Sequence, residues 1–219
     1  MTRTERIAPL SGMVFSMLFV LAALLVNNYS YLPPAEDLQS FFVDGAIRIE
    51  WFAGYLGALS GVFLIWFAGS VRQSLRPAEG GTGRLSAVAF GGGALGGGLV
   101  VLAFNILAMG GARGGSEAGI GLETATIIYD LYGQVIGGAL PIVLAAMIGA
   151  AAVVAFRTGT WPAWLAWSSA VFAVGSISPL RYIFSAADVL WILVVSVWLF
   201  RKQSTGTVGD EPIGTPKKI

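Results

Sequence analysis

Apolar runs of about 20 residues, the length that crosses a bilayer's hydrocarbon layer, recur along almost the whole chain with short polar breaks between them. They predict six spans, at about 8–27, 51–71, 85–109, 126–156, 163–179 and 182–200. The fifth, AWLAWSSAVFAVGSISPL, is short and runs into Pro179, so the last two spans are expected as a tight hairpin with almost no loop. The fourth is longer than a bilayer needs. Its apolar part, Val135 to Phe156, suffices alone and leaves TATIIYDLYGQ as a polar first portion near the surface. The fold class read from this pattern is all-α, a polytopic transmembrane helix bundle occupying residues 1–202. Residues 203–219 are polar, carry Gly and Pro and lack periodicity, which reads as a disordered tail.

Composition strengthens this reading. Of 219 residues, 56% are hydrophobic and 11% charged, against roughly 25% charged in an average soluble domain. The net charge of +1 offers no concentrated basic patch, so nucleic acid is not an expected partner. The chain has neither Cys nor His, which removes disulfides, thiol nucleophiles, His-based triads and His or Cys metal sites. No cofactor and no metal are expected.

Lys and Arg positions, which played no part in drawing the spans, test the threading through the positive-inside rule. With both termini cytoplasmic, Arg3, Arg6, Arg72, Arg76, Arg84, Arg157, Arg201, Lys202, Lys217 and Lys218 fall inside. Arg48, Arg113 and Arg181 fall outside or near the outer boundary, so ten basic residues stand against three. The expected home is a bacterial cytoplasmic membrane. The first run is followed by NNYSYLPP without an A-x-A cleavage pattern and reads as a retained anchor. The long outer loop 28–50 contains AEDLQSFFV, a candidate short helix that either lies at the interface or caps the bundle.

Two groups of residues stand out. In AFGGGALGGGLVVLAFN, Gly92 with Gly96 and Gly93 with Gly97 form small-xxx-small pairs that let a neighbouring backbone approach, either another span or another copy in a homo-oligomer. A nucleotide-binding glycine loop is excluded by the missing strand and the missing Lys-Ser/Thr ending. The second group is polar. Asp130 and Gln134 share one helix face, and Tyr129, Gly133 and Gly137 fall on an adjoining stripe, with Pro141 further along as a kink candidate. Arg181, Ser185 and Asp188 lie at i, i+4 and i+7 on one face of the sixth span. Arg181 and Asp188 are about 10 Å apart along the axis, too far for a direct pair, so each needs a partner on another span, Asp130 or Glu50 in the case of Arg181. With Asn105 these residues converge on the outer half of the bundle. Two readings stay open: a water-accessible polar cavity, or interhelical hydrogen bonding without a ligand. The aromatic residues Trp161, Trp164, Trp167, Trp191, Trp198, Tyr29, Tyr31 and Tyr182 read mainly as interfacial anchors.

RTERIAPLSG before the first span, IEWFAGYLGALSGVFLIW in the second, and YDLYG followed by AFRTGTWPAWLAW in the fourth and fifth form a recurrent layout. In these features the chain resembles a bacterial family of six-span integral membrane proteins of about this size, a domain of unknown function. Members of that family often have a His or Asn before the Tyr of the fourth span, where this chain has Ile128; the resemblance implies the fold and transfers no catalytic residue. The expected function is non-enzymatic binding of a small or lipidic ligand, or of a partner, through the polar cavity, with membrane lipids as surroundings. A small transporter or channel using intramembrane carboxylates is the alternative. A lipid-acting enzyme would have little machinery, with neither His, Cys nor a diacidic metal motif.

Overall fold

The computed structural model describes residues 7–26, 42, 47–114 and 119–205, with the backbone alone for 47–51, 204 and 205. Among these residues the chain is all-helical. Seven α-helices follow in order: α1 (Leu10–Val26), α2 (Ile47–Glu79), α3 (Arg84–Gly114), α4 (Leu122–Gly133), α5 (Leu140–Thr158), α6 (Ala163–Ile177) and α7 (Arg181–Thr205). A π-helical turn, Gln134–Ala139, joins α4 to α5 into one continuous rod. Four helical stretches are long and apolar enough to cross a membrane: Phe52–Glu79, Arg84–Gly114, Leu122–Thr158 and Arg181–Gln203. Helices α1 and α6 are apolar but shorter. Large apolar side chains such as Trp66, Leu95, Trp167 and Ile183 stay exposed on the outer surface, as lipid contact requires and water does not favour.

The helices extend past the apolar runs where polar residues can still continue a turn. Helix α2 continues through Arg72 and Arg76 to Glu79, where Gly80, Gly81 and Gly83, all at positive φ, reverse the chain. Glu79 then holds the start of α3: its carboxylate accepts from the Leu85 amide at 2.7 Å and the Ser86 amide at 2.8 Å. These are donors that a helix start leaves unpaired. Helix α5 ends on Gly159 in the left-handed region, whose amide donates to Ala155 at 2.9 Å. The hairpin expected between the last two spans is present, turning over Ser178 to Leu180.

Helices α2 and α3 make the closest approach. A Cβ at Gly97 would lie 2.5 Å from the Gly61 carbonyl oxygen, and one at Gly61 would lie 2.5 Å from the Gly97 carbonyl oxygen. Gly93 meets Ala68 of α2 and Met147 of α5, while Gly92 and Gly96 face Val143, Met147, Leu140 and Leu144 of α5. All four glycines named from the sequence are thus used within the chain, two faces of α3 taking two different helices. Gly91 and Gly98 have open space around them.

The bundle centre holds Phe15, Phe67, Phe104, Met147 and Trp191, all essentially buried. Two of the expected interfacial anchors prove to be core: Trp161 and Trp191 are buried, with their rings 6.2 Å apart, and Trp191 donates its indole N–H to Ser169 at 2.8 Å. Trp164 and Trp167 are exposed. Tyr29, Tyr31 and residues 206–219 lie outside the described residues, as does most of loop 28–50. Phe42 of that loop is buried against Gly110 of α3.

Candidate functional site

A cavity of about 430 Å³ lies between α1, α4, the π-helical turn, α5 and α7. Its position follows from the local backbone. Pro141 has no amide to donate, and its ring would crowd the carbonyl four residues back, on Gly137. The wider π-helical turn ends immediately before this Leu140-Pro141 step, with the Leu140 amide reaching back five residues to Val135. Gly137 in the turn seats the Tyr182 ring, since a Cβ there would come within 2.6 Å of it. Gly133, in ordinary right-handed helical conformation, lines the cavity and has open space where its Cβ would be.

The walls combine aromatic and polar groups. Helix α1 contributes Phe15 and Phe19, and Phe19 is set edge-on to Phe104 at 5.9 Å. From α4 come Tyr129 and Tyr132, and from α7 Tyr182, Ser185 and Asp188. Asp188 is fully buried and forms part of this wall. Ser176 of α6 supports it: the hydroxyl lies 2.9 Å from both carboxylate oxygens and also 2.8 Å from the Phe172 carbonyl. The one hydroxyl proton thus has three acceptors within reach, and among the described residues no cation pairs with Asp188. The Ser185 hydroxyl donates to the Tyr182 carbonyl at 2.7 Å, which leaves its lone pairs for an incoming donor.

Of the seven polar residues read from the sequence, the structure gathers three: Tyr129, Ser185 and Asp188. Asp130 and Gln134 are exposed on the other face of their helix. Asn105 is exposed on α3, donates to its own helix at Val101 (2.8 Å) and lines a separate shallow pocket with Tyr55 and Met109. The expected Arg181–Asp130 pair is absent among the described residues. Arg181 instead lies over the Tyr182 ring at 5.2 Å, and its buried Nε has no hydrogen-bond partner. The Glu50 side chain lies outside the described residues. Asp188 hydrogen-bonds across the α6–α7 hairpin and also forms part of a cavity wall.

Sequence reasoning missed Ser176 and the contribution of α1. Tyr129, Gly133 and Gly137 were recognised as one stripe, and Tyr132, three residues after Tyr129, extends that stripe by helical periodicity. Phe15, Phe19 and Ala23 were indistinguishable from any other apolar positions of the first run. Among the described residues no three acidic side chains gather into a metal-binding group. Compared with protein families, with curated proteins and with solved structures, the chain matches none.

Proposed function

We propose that the protein is a multi-pass protein of the bacterial cytoplasmic membrane that binds a small lipidic ligand in the α1–α4–α5–α7 cavity, without catalysing a reaction. The observation that carries this reading is Asp188: a carboxylate with a single hydroxyl partner at the wall of a mainly apolar cavity. Its cost in a membrane interior is several kcal/mol unless it is neutralised, paired or met by a ligand, which is why such residues tend to be functional. The volume of about 430 Å³ suits a small molecule. The ten-to-three distribution of basic residues supports cytoplasmic termini, with the cavity in the outer half. Six crossings, counting the short α1 and α6, accord with the resemblance to the six-span family.

A transporter or channel needs a polar path to the opposite side. Inward of Asp188, the buried positions of α7 are Val189, Trp191, Ile192, Val195, Ser196 and Leu199, all apolar but Ser196, with Phe67 edge-on to Trp191 at 6.5 Å. That apolar plug favours binding over passage.

Gly133→Leu tests the reading, because it fills the cavity at a position with room for a side chain and improves helix propensity. Native mass spectrometry of the detergent-purified protein should show a small bound mass on the wild type. Gly133→Leu should lose it while keeping the wild-type circular dichroism spectrum and melting temperature. Equal adducts on both proteins, or none on either, would defeat the proposal.

A further inference from the structure

The cavity has a second boundary that suggests what kind of ligand it takes. Helices α1 and α7 run antiparallel and touch through polar groups at two places: the Ser196 hydroxyl bonds to the Pro9 carbonyl, and the Ser16 hydroxyl, 2.9 Å from the Gly12 carbonyl of its own helix, also lies 3.3 Å from the Val189 carbonyl. Both ties lie on the same side of the cavity. Beyond Ser16 the seam is lined by Phe19 and Ala23 on α1 and Ala186 on α7. An apolar groove of about 630 Å³ lies on the outer side of this seam, with Met17, Leu24, Leu190 and Leu193 among its walls. Phe19, Ala23, Ala186 and Val189 line both spaces. The cavity and the membrane-facing groove are therefore separated by two alanines, one valine and one aromatic ring, and beyond the Ser16–Val189 contact no hydrogen bond crosses this seam among the described residues.

The two spaces differ in chemistry. The groove offers apolar side chains. The cavity offers acceptors on α7, at Ser185, whose hydroxyl already donates to the Tyr182 carbonyl, and at the two Asp188 oxygens beside the Ser176 hydroxyl, with the side chains of Tyr129, Tyr132 and Tyr182 also in its walls.

The geometry points to a lateral portal between α1 and α7 that admits a single-chain amphiphile from the bilayer, its hydrogen-bond-donating head in the cavity beside Ser185 and Asp188 and its chain in the α1–α7 groove. This inference rests on the ligand-binding reading above and narrows it. A head that donates, a hydroxyl or an ammonium, is complementary to the acceptors. A carboxylate head would place a second anion against Asp188. A single chain fits because the seam opens between two alanines, and a groove continuous with the bilayer removes any need for the chain to pass through water.

The test uses the full-length protein in vesicles of phosphatidylethanolamine and phosphatidylglycerol, with three probes carrying a diazirine near the chain end: hexadecanol, hexadecylamine and hexadecanoic acid. Saturable labelling of residues 13–24 and 186–193 by the alcohol or the amine, but not by the acid, is the expected result. The alcohol and amine arms separate a neutral from a cationic head, and either supports the portal. Ala186→Trp, which plugs the seam, should abolish that labelling. Ala23→Phe gives a second plug should the first variant misfold. Asp188→Leu should weaken labelling about tenfold, as loss of one charge-assisted hydrogen bond does. Equal labelling by the acid, or labelling that survives both plugs, overturns the inference. If the wild type keeps its Gly133-sensitive bound mass but no long-chain probe labels the groove, the portal is wrong and the binding reading stands; loss of both results removes both.

Discussion

Glu79 holds the turn between α2 and α3 through its carboxylate, and its titration reports that role. Partial desolvation raises its pKa, but the amides of Ser86 and Leu85, the Ser86 hydroxyl and the charge of Arg157 outweigh this, so the group titrates below the ordinary carboxylate value. A depressed folded-state pKa contributes stability above the unfolded pKa, and that contribution is lost as pH falls through the folded value. Titration of the Glu79 carboxyl by carbon-13 NMR should give a lower midpoint than the same residue in an unfolded peptide of residues 76–88; equal midpoints would mean that the cap does not form. The role of Glu79 was not legible in the sequence, because it requires the glycine turn to bring the end of one helix beside the start of the next. Asp188 was legible, since a charge inside an apolar run stands out wherever it points. Its partner Ser176 was not, because serine is common in such helices and bonds to its own backbone when no other acceptor is near.

Helix α3 carries a clear contrast between adjacent glycines. In lipid, apolar burial gives little drive to helix association, so close approach and the dispersion it permits do most of the work. Gly97 lies at such an approach, with Gly61 of α2, whereas Gly98 faces open space. Gly97→Leu should destabilise by about 1–3 kcal/mol or prevent folding. Gly98→Leu should be neutral or stabilising by up to about 1 kcal/mol through helix propensity. Thermal unfolding of both variants in one detergent checks this, and equal melting temperatures would contradict the α2–α3 contact. The small-xxx-small spacing was visible in the sequence, but its use was not: only the fold distributes the four glycines between α2 and α5. The π-helical turn is similar. Pro141 reads in the sequence as a kink candidate, whereas the structure has a π-helical turn over Gln134–Ala139, with Tyr182 seated on Gly137.

At the scale of the whole molecule, the absence of Cys makes the topology directly measurable. Thr82, in the α2–α3 turn, and Glu123, at the start of α4, are both exposed and sit at opposite ends of α3. In intact right-side-out vesicles, Glu123→Cys should react with a membrane-impermeant maleimide and Thr82→Cys should not; in inverted vesicles the pattern should reverse. Labelling of both from one side would refute the threading.

Length and patterning of the apolar runs determined by themselves that the described residues are helical and apolar enough for a membrane, because a helix satisfies its backbone hydrogen bonds within its own segment and its sequence need only supply the apolar surface. They also singled out Tyr129, Ser185 and Asp188. Only the tertiary structure decided which polar residues meet. Asp130 and Asn105 lie in helices as suitable as that of Asp188, but the packing of those helices leaves both exposed. The cavity itself belongs to the assembly alone: its walls come from three stretches far apart in the chain, α1, the α4–α5 rod and α7, and a space left open between side chains has no residue of its own in the sequence.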